Sequence, residues 1–504
     1  MDKITGNFPI LVVIIPVMAS FLIILLGRTR HRWEWVISTV ATSLSFLISL
    51  SLLYTVSHSG RLSYWLGGWE PPWGIEYAVD DFSGFVLVVV SFVSLAIAVY
   101  AGRSVPKEVG EGRTVPFFAL YCLLVGGLLG MVVTADAFNL YVFLEISSLS
   151  SYALVGVGKK KRAIVASYNY LVLGTIGATF YLIGVGYLYV MTGTLNMADL
   201  SQRLAALYDS PLLLVALSFF LIGLSIKMAL FPLHAWLPDA HGLAPSVVSP
   251  ILSACVIEVA AYAMIRVMFT IFTPRFILGA LPIQEILLLS ATLAMLFGSF
   301  LALAQVDLKR MLAYSSVGQM GYILLGVGLA NQTGLTGSLM HIFSHAVIKA
   351  SLFLAAGSII YQTDRTQINA LRGLGKKMPL TMATFTIGSL GMVGIPLTTG
   401  FVSKWQLALG ALEAGRWPIL AVILSSALLN ALYFGRVIEM VWFRGEEGHG
   451  TKEREGREKE GPMEAPLSLA IPSFILVSAS IIFGVAALIP VSLAEKAAGL
   501  LLGK

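Results

Sequence analysis

Apolar runs of roughly 18 or more residues recur along almost the whole chain, each long enough to cross the ~30 Å hydrocarbon core of a bilayer as a helix. A chain so built has few folds open to it. No water meets the backbone inside a bilayer, so each lipid-facing segment must satisfy its own amides and carbonyls, which a helix does. We count about fourteen such runs, centred near Ile15, Leu44, Ser91, Gly126, Ser147, Ala178, Leu221, Val259, Thr292, Gly318, Ala346, Ser389, Leu428 and Ser478. The reading is an all-α polytopic membrane protein. With 57% hydrophobic and 12% charged residues and a mean hydropathy of +0.85, the composition does not fit a soluble domain.

Loop charges give an orientation. Alternate loops carry Arg28, Arg30 and Arg32; Arg103, Lys107 and Arg113; Lys159 to Arg162; Lys309 and Arg310; Arg365, Arg372, Lys376 and Lys377; and Arg444 to Lys459. The opposite side has only Lys3, Arg61, Arg203, Arg275, Arg416, Lys496 and Lys504. The positive-inside rule then puts both termini outside the cytoplasm, in a multi-pass protein of the cell membrane. The run from Phe8 to Leu26 is long enough to span, so it reads as a first helix and not as a signal peptide. The net charge of +6 sits mostly in loops and gives no reason to expect nucleic acid as a partner. Two loops stand apart. Residues 445–464, rich in Glu, Lys, Arg and Gly, read as a mobile cytoplasmic loop, and Ser57 to Asp81, with Trp65, Trp69 and Trp73, reads as an ordered aromatic flap at the membrane interface.

Ionisable residues inside the apolar runs carry the functional signal, because a charge at bilayer depth costs at least a few kcal/mol. They are Glu145, Lys227, Glu258, His341, His345, Lys349 and Lys404, spread over five segments. Two of those segments are interrupted. Pro232 lacks an amide hydrogen and is expected to free the carbonyl of Met228, next to Lys227. Gly391, Gly394, Pro396 and Gly400 interrupt the twelfth segment just ahead of Lys404. Paired breaks in the two halves of a transporter point to an internal repeat with the ion site at its interface, and unrelated proline kinks are the plainer alternative.

His341, His345 and Lys349 recur at intervals of four and line one helix face, where histidines suit proton relay. A metal at these histidines is disfavoured, since no Cys or carboxylate lies beside them in the chain and Lys349 would repel a cation. Glu145 needs a cationic partner, and Lys227 is the natural candidate. At about 4 Å and an effective dielectric of about 20 their attraction is roughly 4 kcal/mol, enough for movement of the carboxylate to decide whether the lysine keeps its proton. A fixed structural ion pair is the alternative. Arg266, Asp136 and Arg436 read as structural or interfacial. Cys122 and Cys255 are the only cysteines, and there is no Gly-rich phosphate loop, so no cofactor, metal centre or redox site is expected.

The run Lys-Met-Ala-Leu-Phe-Pro-Leu-His-Ala-Trp-Leu-Pro-Asp-Ala-His-Gly-Leu-Ala-Pro-Ser from Lys227 to Ser246 resembles the signature of the proton-conducting antiporter-like subunits. That family includes the D subunit of Mrp-type cation/proton antiporters, the L, M and N subunits of respiratory complex I, and the equivalent subunit of membrane-bound hydrogenases and sulfur-reducing complexes. Asp307-Leu-Lys-Arg-Met-Leu-Ala-Tyr-Ser-Ser, His341-x-x-x-His345-Ala-x-x-Lys349 and Gly400-Phe-x-x-Lys404 also match, so the resemblance runs from the fifth to the twelfth segment. It implies fourteen helices, with the fourth to eighth and ninth to thirteenth as an inverted repeat and the seventh and twelfth broken. The implied divisions are 1–110, a first half-channel at 111–275, a second at 276–444, the loop 445–464 and a last helix in 465–504.

The resemblance also implies that Glu145 and Lys227 form a switching pair, that a polar axis continues through Glu258, His341, His345 and Lys349, and that Lys404 closes it. One position departs from the family pattern: Glu258-Val-Ala-Ala-Tyr-Ala stands where Lys-Val-x-x-Tyr-Ala is usual. A carboxylate there suggests altered proton energetics or a sodium-linked role. The short stretch after the last span favours the Mrp D type or the hydrogenase type. The function implied is an ion-translocating subunit, moving protons with sodium as a second candidate, partnered by other membrane subunits of an Mrp-type, hydrogenase or complex I-like assembly and by membrane lipid. A stand-alone solute transporter and a scaffold without transport are the rival readings.

Overall fold

The computed structural model describes residues 5–27, 32–279, 283–445 and 463–503. Among them, twelve helices are long and apolar enough to cross a membrane. The chain begins with α1 (Phe8–Leu26) and α2 (Trp33–Ser59), then an antiparallel hairpin of β1 (Leu62–Trp65) and β2 (Glu76–Val79). Next come α3 (Asp81–Glu108), α4 (Thr114–Val133), α5 (Ala137–Gly156), α6 (Lys161–Thr192) and the short α7 (Met197–Leu204). The first interrupted segment is α8 (Pro211–Lys227) with α9 (Leu237–Leu243). The span α10 (Val248–Ile271) has π-helical turns at Leu252–Val256 and Val267–Ile271. It is followed by α11 (Ile283–Leu303), α12 (Leu308–Leu329) and α13 (Gln332–Thr363). The second interrupted segment is α14 (Pro379–Val393) with α15 (Thr399–Glu413), and α16 (Trp417–Trp442), α17 (Leu467–Val485) and α18 (Leu488–Leu501) complete the chain.

Every expected segment centre falls inside a helix, and the described residues are all-α apart from the hairpin. The hairpin is the aromatic flap expected from the sequence, with Trp69 and Trp73 projecting from it. Of the hydrophilic stretch at 445–464, residues 446–462 lie outside the described residues. Burial is layered. The central stretch of α13 is completely buried, whereas that of α2 is 33% buried, so α10, α12 and α13 form an inner core and α1, α2 and α16 face outward. The ionisable residues of α10 and α13 therefore sit in protein and not in lipid, where a charge has no compensating group.

The internal repeat is written in backbone hydrogen bonds. Ala137 N donates to Leu195 O at 2.9 Å and Met197 N to Ala135 O at 2.8 Å, while Leu308 N donates to Thr366 O at 2.8 Å and Ile368 N to Val306 O at 2.9 Å. One constant shift along the sequence relates all of these residues. The aspartates they flank also correspond: Asp136 caps α5 through Asn139 N at 2.7 Å, and Asp307 caps α12 through Arg310 N at 3.0 Å. The first set lies on the hairpin face, where Ala135 N donates to Glu76 O. The second lies beside Lys309 and Arg310 on the basic face. An odd number of segments separates the two sets, so the repeat is inverted.

Candidate functional site

Helix α8 stops at Lys227, ahead of Pro232, which differs from the expectation that the proline itself frees a carbonyl. Ala229 has a left-handed backbone (φ +54°), and the carbonyl captured by a side chain is that of Ile226, which accepts from Trp236 Nε1 at 2.9 Å. Lys227 is thus the last residue of a half-helix, at the negative end of its dipole. Its ammonium lies 3.6 Å from Glu145 Oε1 and donates to Ser148 Oγ at 2.8 Å and Tyr152 OH at 3.1 Å. Glu145, Ser148 and Tyr152 recur three and four apart on α5, so one face of that helix supplies all three partners. Lys227 is 7% exposed and the Glu145 side chain 23%, and the Glu145 oxygen that faces the ammonium is itself buried.

At the centre, the Glu258 carboxylate is in direct hydrogen-bond contact with His345 Nδ1, both side chains completely buried. The chain places no carboxylate beside the histidines, but the fold does, from α10. His341 is 3.0 Å from Ser403 Oγ through Nδ1 and 3.0 Å from Gln319 Oε1 through Nε2. The two histidine ring centroids are 6.4 Å apart. Lys349, the third member of the α13 face, donates to Leu312 O at 2.8 Å. Among the described residues no group of three or more His, Cys, Asp or Glu is placed to hold a metal.

The second break has Gly394 at φ +96°, a conformation that glycine adopts without strain. Lys404 rises from α15 and turns back, its Nζ donating to Met392 O at 2.7 Å and Val393 O at 3.0 Å, over the Tyr322 ring at 4.8 Å. The last carbonyls of α14 therefore receive an ammonium, whereas the ammonium of Lys227 goes to side chains of α5.

Three residues read as structural from the sequence have partners of that kind. Arg266 is paired with Asp80, Asp136 is a helix cap, and Arg436 donates to Leu303 O at 3.0 Å and to Gln305 O. Sequence reasoning did not single out two buried groups as site candidates, counting Lys309 among the loop charges. His241 is completely buried, stacked on Phe353 at 4.9 Å, with no hydrogen-bond partner on either ring nitrogen among the described residues. Lys309, 3% exposed, donates to Ala244 O at 2.7 Å. Both lie inside the matched motifs, and being charged or polar next to apolar runs was the signal available.

The family described as NADH:quinone oxidoreductase/Mrp antiporter, transmembrane, matches residues 134–430, more than half of the chain. The chain belongs to this family. Among curated antiporter-like relatives, the N subunit of the NADH-quinone oxidoreductase of Desulforudis audaxviator is 44% identical over 95% of this chain and 96% of its own length. The D subunit of the Na(+)/H(+) antiporter of Alkalihalophilus pseudofirmus is 32% identical over 96% and 94%. Among solved structures, a chain of the membrane-bound sulfane sulfur reductase, an archaeal respiratory membrane complex, aligns with a TM-score of 0.88 and 32% identity over 98% of this chain and 97% of that one. Both N-type and Mrp D-type subunits are thus among its relatives, as the resemblance implied.

Proposed function

We propose that this chain is the ion-translocating membrane subunit of a larger respiratory or Mrp-type complex, set in the cell membrane with both termini outside. Protons move along Glu145, Lys227, Glu258, His345 and His341 with Lys349, and Lys404, the first half-channel lying in residues 111–275 and the second in 276–444. The observation that carries this reading is the Glu145–Lys227 pair at 3.6 Å, held at the end of a broken helix. With the carboxylate in place the ammonium is stabilised. When Glu145 is drawn away, Lys227 is left dehydrated with only neutral hydroxyls around it, and its proton is driven toward the next acceptor. Glu258 and His345, in direct contact, make that acceptor a shared site, because either group can hold the proton while the other hydrogen-bonds to it.

Sodium is a second candidate ion, favoured by the name of the Na(+)/H(+) antiporter relative and by a carboxylate at position 258. Partners are other membrane subunits, as in the multi-subunit assembly of the structural relative. The test is driven proton and sodium flux in vesicles holding the native complex, with Lys227→Ala and Lys404→Ala variants. Loss of flux in both is expected; full flux in both would leave the scaffold reading standing, and flux by the purified chain alone would favour a solute transporter.

A further inference from the structure

On the hairpin face, a cavity of about 440 Å³ opens among the ends of α3, α4, α7, α10 and α18, lined in part by Arg61, Ser201 and Thr270. Its lining also includes an ion pair. Arg266 Nη1 and Nη2 donate to Asp80 Oδ2 and Oδ1, both at 2.7 Å, and the guanidinium lies over the Phe82 ring at 5.1 Å. Arg266 Nε donates to Tyr262 OH at 3.1 Å, and that hydroxyl donates to Val132 O at 2.8 Å. Asp80 is held in turn by Ser83, whose N and Oγ reach Oδ1 at 2.9 and 3.0 Å.

Glu258, Tyr262 and Arg266 stand four apart on α10 and so share one face. Eight residues, about 12 Å of helix, separate the first from the last. One stack of side chains is therefore all that this face of α10 places between the cavity and the central carboxylate, of which Oε2 has no hydrogen-bond partner among the described residues. The regular stretch Ile257–Arg266 that carries them is bounded by π-helical turns at both ends. Such turns re-aim the residues that follow them and recur at functional sites.

Chemistry decides what the stack does. A guanidinium does not deprotonate in proteins, so Arg266 cannot pass a proton on. It is a permanent positive charge facing the cavity, and a fixed arginine in a narrow polar path repels protons and other cations. Asp80 offsets its burial, yet the bonds from Arg266 and Ser83 occupy the carboxylate. We propose that Arg266, held by Asp80, is the electrostatic seal between the hairpin-face cavity and Glu258, so that the axis does not short-circuit through α10. The inference rests on the reading that Glu258 carries protons.

The experiment is passive proton flux under an imposed pH gradient, in vesicles holding the native complex with its driving reaction off. Asp80→Asn with Arg266→Gln removes both charges together and leaves no orphan ion. We expect passive flux to rise at least about tenfold, since a guanidinium that cannot release its proton is then lost from the path. Arg266→Lys, which keeps a cation, is expected to stay within about twofold of the unaltered complex. Adding Glu258→Gln to the double variant is expected to abolish the leak. Should the double variant fail to assemble with its partner subunits, Asp80→Leu with Arg266→Met, which also removes both charges, is read the same way. An assembled neutral variant without a leak overturns the seal, and so does a leak that persists with Glu258→Gln. Driven flux in Lys227→Ala, measured on the same vesicles, tests the underlying function separately.

Discussion

The two broken segments each carry a buried lysine at the break, but give its ammonium unlike partners. In the first, Lys227 is the final residue of the half-helix and meets a carboxylate, Glu145, at 3.6 Å. In the second, Lys404 starts from the following half-helix and reaches back to the carbonyls of Met392 and Val393, with no carboxylate in ion-pair distance among the described residues. The repeat register explains the asymmetry. The position of Glu145 corresponds to Ser316, which bonds to Ser253 Oγ at 2.8 Å, and that of Tyr170 corresponds to His341. Duplicated backbone thus holds unlike chemistry. The first break is set by a charge that can be moved, the second by a helix dipole that cannot.

This contrast can be broken at several points. The largest effect is expected for Lys227→Ala, with driven proton flux reduced roughly hundredfold or more, as befits a residue that itself carries the proton. Flux above about half of normal would remove the first break from the path. Glu145→Gln is expected to cost about tenfold, since it withdraws up to ~4 kcal/mol of Coulomb support, lessened by the partial exposure of that side chain and by the hydroxyls that remain around the ammonium. Lys404 has no such partner to lose. Substituting the Tyr322 ring beneath it with leucine is expected to lower flux only about twofold, the scale of a partly screened cation–π contact. A Tyr322→Leu loss as deep as that of Glu145→Gln would show the second break to be governed electrostatically as well. The smallest effects belong to the caps. Asp136→Ala and Asp307→Ala are each expected to lower stability by about 1 kcal/mol, measured as matched shifts in thermal unfolding of the purified complex. A much larger shift in one would show that the repeat halves are not equivalent at their helix starts.

Much of this was legible before any fold was known, because lipid leaves a chain so little freedom. The apolar runs located the helices, and the cost of buried charge singled out Glu145, Lys227 and the α13 face. Spacing along one chain says nothing, however, about which residue of another helix stands opposite. The Glu258–His345 contact spans two helices, and a reading of neighbours along the sequence placed no carboxylate beside the histidines. Apart from the family resemblance, the repeat was legible only as two breaks, since Asp136 and Asp307 lie in dissimilar sequence and their likeness resides in backbone hydrogen bonds. Pro232 drew attention to the right segment but the wrong residue: the helix ends earlier, where Trp236 takes a carbonyl. Lys309 was counted as a loop charge and His241 was named only within a motif because each sits beside a loop, where a charge ordinarily meets water, and here neither does.

The central claim is that Glu145 acts through Lys227, and a double-mutant cycle on driven proton flux in the native complex tests it most directly. The account predicts that Glu145→Gln lowers flux in the unaltered complex and adds nothing in a Lys227→Ala background. Independent, multiplying losses from the two substitutions would contradict it.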